Sequence, residues 1–306
     1  MLPSTPLSDA FLKIKDPGHE YAKTNHIPFL FARQTLSSAP FGYDFFVSLP
    51  PGYTKDPEKE WPLVIFLHGA GESQRKSDES YPALRHGVSK IILCYDKLAS
   101  GDAPIIQIPK AERLREGVSK SAKDDLSPTP VPPDVCRTVA EEFITLTPVL
   151  DMRNGYGWNP AILTSLLDEV LPHFRVDLSR IHLTGFSMGG GGTWSLALHT
   201  PNRFATLTPV CGYGDAARAG LIAHIPQWVH HGQLDTIIDI RESERMVKAL
   251  KKKGAHVRFT KYPHLAHDSW TEAYNDIELW RWMLEARKQE QGELRVLPDE
   301  DKAAVA

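Results

Sequence analysis

A chain of 306 residues with 42% hydrophobic and 24% charged side chains has the material for one large globular domain, not for a disordered or fibrous polymer. Its formal net charge of −3 excludes the basic field by which proteins hold nucleic acid or anionic lipid, so neither partner is expected. The 3 cysteines, Cys94, Cys136 and Cys211, are odd in number and share no CxxC spacing, which argues against a disulfide framework and a structural zinc site.

The opening stretch, MLPSTPLSDAFLKIKDPGHE, lacks the apolar segment of a signal peptide, and the most apolar run, around 64–67, falls far short of a membrane span. A cytoplasmic location with no membrane partner is therefore expected. Runs rich in β-branched and aromatic residues predict strands at 43–49, 62–68, 142–148, 180–185, 205–211, 227–232 and 257–263. The second of these, PLVIFLH, is apolar throughout, the pattern of a strand covered on both faces. Helical patterns fall between the strands, at about 81–98, 159–174, 188–200, 241–254 and 272–287. In RESERMVKALKKKG the apolar positions 246, 247 and 250 share a face and Gly254 supplies a C-terminal cap. Strands alternating with helices give βαβ units, hence an α/β fold built on a doubly wound, mainly parallel sheet. One domain over 1–288 is expected. It carries an insertion at about 99–140, where a charged stretch precedes LSPTPVPPD, a proline-rich segment unable to join a central strand. Residues 289–306 read as a polar tail.

The chemistry is concentrated in HLTGFSMGGGGTWSL, residues 182–196. Gly185-Phe186-Ser187-Met188-Gly189 fits G-x-S-x-G between a predicted strand and a predicted helix, the context of a nucleophile elbow. The glycines two before and two after the serine meet the crowding of such a turn, and the helix that follows points its N–H groups at the reacting centre. A phosphate loop would need a Gly-Lys-Ser/Thr that is absent here, and a dinucleotide fingerprint would sit on the first strand, not in mid-sheet. Gly189 and Gly190 are explained by close approach; Gly191 and Gly192 are left with tight helix–sheet packing as their reason.

A serine hydroxyl needs a base, and in this architecture an acid and then a histidine follow the serine on later strand ends. Asp235 lies in the loop after 227–232, with Asp239 as its rival farther from the strand; His264 and His267 lie in the loop after 257–263. His230 and His231 precede the acid, in the wrong order for the base, and read as packing and turn residues. For the oxyanion, the residue after the nucleophile offers the Met188 N–H. HGAGE (68–72), after the apolar strand, offers the Ala70 N–H, with glycines at 69 and 71 letting the backbone approach a substrate. Gly71, Tyr156 and Trp158 in the loop after 142–148, and Trp270, three beyond His267, are the expected substrate-binding residues, with Asp151 and Arg153 nearby.

These blocks, with LPPGYTKDPEKEWPLVIFLHGAGE, IPQWVHHGQLDTIIDIRESERMVKALKKKG and YPHLAHDSWTEAY, resemble the α/β-hydrolase family over about 43–285, and in particular its carboxylesterase, dienelactone-hydrolase-like and predicted-peptidase branches. The resemblance implies Ser187 as nucleophile, Asp235 as orienting acid and His267 as base, since the family places its histidine before an Asp/Glu-Ser-Trp-like segment. Dienelactone hydrolases use cysteine, so the serine points to the esterase side. The segment 99–140 is longer than the family's connection at this place, and its position after a helix running back from the catalytic edge favours an elaboration of the opposite face over a lid. Gly191 stands where relatives often carry a larger residue. The expectation is a serine hydrolase of a small-molecule carboxylic ester working through an acyl-enzyme, with no metal or organic cofactor. A peptidase, an acyltransferase or a non-catalytic receptor could share the same parts.

Overall fold

The computed structural model describes residues 30–33, 42–74, 81–106 and 129–288. The middle of the expected insertion, 107–128, and the expected tail, 289–306, lie outside the described residues. Eight strands form one sheet in the order β1-β2-β4-β3-β5-β6-β7-β8. They are β1 (Leu30–Arg33), β2 (Asp44–Ser48), β3 (Trp61–Leu67), β4 (Ile144–Val149), β5 (Val176–Phe186), β6 (Thr206–Val210), β7 (Gln227–Gly232) and β8 (Val257–Tyr262). The pairs β1–β2 and β2–β4 are antiparallel and the rest of the sheet is parallel. The sheet is the doubly wound α/β sheet expected, with one strand more than the pattern showed, since β1 is only four residues long and pairs at the edge.

The apolar run in β3 is explained by what covers it. Leu63, Ile65 and Leu67 point into one core with the helices α3 (Pro160–Val170), α4 (Met188–His199) and α5 (Arg241–Lys252). Val64 and Phe66 point into a second core with α1 (Gly87–Ala99), α2 (Pro133–Glu142), α6 (Trp270–Asn275) and α7 (Ile277–Glu285). Each such side chain contributes about 1.5–3 kcal/mol on leaving water, so no face of the strand could tolerate a polar residue.

Three helix boundaries differ from the periodic reading. The helix at 81–98 divides into a 3₁₀ turn, Tyr81–Leu84, and α1, because Gly87 at φ +65 approaches the Phe66 ring so closely that a Cβ would lie 2.3 Å from it. The helix at 272–287 is two helices, broken where Asp276 is extended and its carboxylate accepts the Glu278 N–H as a cap. The end of the 99–140 segment is α2, which starts at Pro133, the last of the segment's prolines, and buries Val135, Cys136, Val139 and Ala140 in the second core. Proline excludes a strand there, but at the first helical position it is favourable.

The order β4-β3-β5 makes the sheet's winding reverse between β3 and β5. Their carboxyl ends, Leu67 and Phe186, open the crevice where ligands of such sheets bind. The HGAGE loop follows one end and Ser187 the other.

Fully buried histidines couple this fold to pH. Burial holds His182 and His230 down to about 3 and His68 down to about 4. Each stays neutral when folded but takes a proton when unfolded below about pH 6.5. Their contribution is intact above that pH and falls, by up to about 1.4 kcal/mol per unit for each group, as the pH drops toward 4. The thermal midpoint should therefore decline steadily between pH 6.5 and 4.5, before the carboxylates titrate; a midpoint that stays flat over this interval would refute the assignment.

Candidate active site

At the junction of β5 and α4, Ser187 has φ 56 and ψ −121, a conformation that costs a residue with a side chain about 1–3 kcal/mol. Two backbone hydrogen bonds hold it: the Ser187 N–H donates to the Val210 carbonyl at 2.9 Å, and the Ser187 carbonyl accepts from the Gly191 N–H at 3.1 Å. The surrounding glycines are required by contact. A Cβ on Gly189 would lie 1.9 Å from the Leu67 carbonyl oxygen, one on Gly185 2.5 Å from that of Gly189, and one on Gly190 2.5 Å from that of Val210. Gly191 and Gly192 have neighbours as well: a Cβ on the first would lie 2.8 Å from the Tyr213 ring and one on the second 2.7 Å from the Trp158 ring.

Loops from β7 and β8 bring two more groups to the serine. His267 Nε2 lies 2.9 Å from Ser187 Oγ, and His267 Nδ1 lies 2.7 Å from Asp235 Oδ2. A carboxylate only accepts, so Nδ1 carries the proton and Nε2 is left to accept from the hydroxyl. The other Asp235 oxygen accepts the N–H groups of Ile237 and Ile238 at 2.8 and 3.0 Å. Burial raises the Asp235 carboxyl, but the hydrogen bonds from His231, His267 and Ile238 outweigh it and hold the group well below the usual carboxylate range. Asp239 is instead paired with Arg241 at the exposed start of α5, and His264 faces Glu272 at the surface.

Cys211, at φ 39 and fully buried, completes the floor; burial pushes its thiol well above the ordinary range, which keeps it protonated and unreactive. Its sulfur, Asp235 and His267 offer ligand atoms within 4.8 Å of one another, the group among the described residues that could meet a metal ion. The protonated thiol and the bond already made between Asp235 and His267 argue against such use.

Two backbone N–H groups stand at helical starts beside the serine. Met188 is the first residue of α4 and Ala70 the first of the 3₁₀ turn Ala70–Glu72, positions whose N–H has no acceptor within its own helix. The Ala70 loop is anchored by His68, whose Nδ1–H donates to the Gly69 carbonyl at 2.8 Å while Nε2 accepts from the Leu150 N–H at 3.1 Å. Trp158, expected in the pocket, serves this anchor instead: it is 8% exposed and its indole N–H donates to the His68 carbonyl at 3.1 Å. Tyr156 is 74% exposed, and a Cβ on Gly71 would meet open space. Trp270 stacks on Phe186 at 4.3 Å and meets the His267 ring edge-on at 5.4 Å. Residues not singled out from the sequence, Tyr213, Leu234 and Ile237, are large exposed apolar groups on the loops after β6 and β7. Their apolar side chains in otherwise polar turns are the signal that could have marked them.

A family model described as phospholipase/carboxylesterase matches residues 160–280, from α3 to α7. The fold is the α/β-hydrolase fold. A bifunctional acetylxylan esterase/xylanase of Neocallimastix patriciarum is 24% identical over 86 residues, 28% of this chain and 13% of that protein. The chain thus matches a small part of that relative's length. Among solved structures, a thermostable esterase aligns with TM-score 0.61 and 22% identity, covering 85% of this chain and 63% of that one. A ferulic acid esterase of the anaerobic fungus Anaeromyces mucronatus aligns with TM-score 0.53 and 13% identity over 94% of this chain and 97% of its own. At these identities the structural matches speak for the fold. No helix among the described residues is long and apolar enough to cross a membrane.

The glycine contacts rank a series of variants. Gly189→Ala drives a methyl into immovable backbone and should lower stability by about 3 kcal/mol or more. Gly191→Ala meets only the Tyr213 ring, which can turn outward, and should cost under about 1 kcal/mol. Denaturant midpoints in the reverse order would show that the run is not set by contact.

Proposed function

We propose that this protein hydrolyses a small-molecule carboxylic ester, with Ser187 as nucleophile, His267 as general base and acid, and Asp235 as the group that orients and stabilises the imidazole. The observation that carries the reading is the continuous hydrogen-bonded line from Ser187 Oγ through His267 to Asp235, at 2.9 and 2.7 Å, on a serine held in a strained turn. His267 Nε2 takes the hydroxyl proton as Oγ attacks the acyl carbon, a transfer worth about 10²–10⁴-fold. The N–H groups of Met188 and Ala70 receive the oxyanion, where loss of one such donor typically costs about 10²–10³-fold. The protonated imidazole then gives its proton to the alcohol oxygen and the ester C–O bond breaks. Water attacks the acyl-enzyme, passes a proton to His267 and releases the acid, and Oγ is reprotonated. Each of these steps uses only side chains and backbone of this chain.

The relatives named for acetylxylan and ferulic acid esters support a short or aromatic acyl group. Trp270 beside His267 and Tyr213 beside Gly191 suit the same range, since flat rings bind through stacking.

A fluorophosphonate should add one equivalent to the wild type by intact mass and none to Ser187→Ala; an adduct that persists in the variant would remove Ser187 from the role, and a wild type that never labels would favour a non-catalytic receptor. Against nitrophenyl esters of rising chain length beside peptide amides, turnover of the short and aromatic esters is expected. Turnover of amides alone would make the protein a peptidase, and acyl transfer to an added alcohol in preference to water would make it an acyltransferase. Asp235→Asn should lower kcat by about 10⁴ while leaving the fold intact, because the imidazole then takes the wrong tautomer.

A further inference from the structure

Asp235 has a second imidazole on it. His231, the penultimate residue of β7, is fully buried, and its Nε2 lies 3.2 Å from Asp235 Oδ2, the same oxygen that meets His267. That nitrogen also lies 2.9 Å from the Ile238 carbonyl. Both neighbours can only accept, so His231 Nε2 carries a proton and donates it to them. On the other side of the ring, Nδ1 lies 2.8 Å from Ser243 Oγ on α5, and that hydroxyl lies 3.3 Å from the Gly212 carbonyl. Ser243 is fully buried, and Gly212 packs against Gly190 at the start of α4, where a Cβ on it would lie 2.6 Å from the Gly190 carbonyl carbon.

We propose that His231, backed by Ser243, is a positioning residue that holds the Asp235 carboxylate so that Oδ2 faces His267. The inference rests on the assignment of Ser187, His267 and Asp235 made above. A carboxylate on a loop can rotate about its terminal torsion, which is broad and weakly preferred. With Oδ1 fixed by two backbone N–H groups and Oδ2 by two imidazoles, that rotation is closed, and the carboxylate is fully buried. The ring is itself held at both nitrogens, so it transmits the position of α5 and of the β6 end to the acid. Sharing Oδ2 also moderates the pull of the carboxylate on the proton it shares with His267. The titratable groups around the pair are His267 and Asp268 from the loop after β8, Asp239 from the loop after β7, the Cys211 thiol at the β6 end, and Glu242 and Glu244 flanking Ser243 on α5.

Glutamine can place an amide N–H where His231 Nε2 stands, and leucine cannot, so the two variants separate donation from packing. In His231→Leu we expect fluorophosphonate labelling of Ser187 to slow by about tenfold or more, the scale of one lost hydrogen bond to a charged group. We also expect kcat on nitrophenyl acetate to fall with KM nearly unchanged, and the acid limb of the rate profile to move toward higher pH. His231→Gln should recover most of the rate and the wild-type profile, and Ser243→Ala should fall between the two. Equal losses in the leucine and glutamine variants, or a folded leucine variant with unchanged rate and profile, would overturn the proposal. Should the leucine variant not fold, the order of wild type, His231→Gln and Ser243→Ala decides in its place, and Ser243→Ala equal to the wild type would count against it. The low-field proton resonance of the His267–Asp235 hydrogen bond reads the same geometry without turnover: lost or broadened in His231→Leu and kept in His231→Gln if His231 positions the acid, unchanged in all if it does not. Absence of labelling in the wild type would defeat the nucleophile assignment, and this resonance would still decide the role of His231.

Discussion

Where β5 turns into α4, four pieces of backbone meet more closely than any side chain would allow. Gly185 and Gly189 stand against the carbonyl of Leu67 at the end of β3, and Gly190 stands against Val210 and Gly212 at the end of β6. This glycine contact is what makes the Ser187 conformation tenable, because it wedges the start of α4 between two strand ends and leaves the serine no relaxed alternative. Everything else at the site is referred to that point. The Ala70 N–H is near it because β3 pairs with β5, and Asp235 and His267 are near it because β7 and β8 continue the same parallel sheet. The cost of strain at one residue is met by the packing of two apolar cores, one on each face of β3.

Around this fixed point lies a shell of buried polar groups that are paired on both sides. His68 ties the HGAGE loop to the Leu150 N–H, and the indole of Trp158 ties the His68 carbonyl in turn. His231 stands behind the acid in the same way that His68 stands behind the loop. In a low-dielectric interior such bonds are strong when complete and costly when broken, so each pins a loop that sequence alone would leave free to move. The site is thereby assembled from loops that are tied to the sheet by buried hydrogen bonds.

Much of the site was legible because its chemistry is written locally. Ser187 announces itself through small residues on either side, and Asp235 through its place just past a strand, Gln227–Gly232, whose bounds are those expected from the sequence. The histidine was less legible: His264 and His267 occupy the same loop, and it is the direction of that loop which sends one to Glu272 at the surface and the other to Asp235. Trp158 was misjudged for the opposite reason. A tryptophan beside an active-site loop looks like a pocket wall, yet Gly192 leaves a gap in α4 that its ring fills, and that packing takes it out of solvent. The helix α2 was hidden by its prolines, which forbid a strand but are favoured at a helix's first turn.

The sequence by itself determined the class of fold, the serine with its flanking glycines, and the order in which an acid and a histidine follow it, because periodicity, turn chemistry and chain order are local or linear properties. Only the tertiary structure decided which of two histidines meets the serine, what each glycine of the run packs against, that the Trp158 indole is bonded to the His68 carbonyl, and that His231 shares the carboxylate of Asp235. Each of these depends on the distance between elements far apart in the chain, and such distances exist only once β3, β5, β6 and β7 lie side by side and fix the loops at their ends.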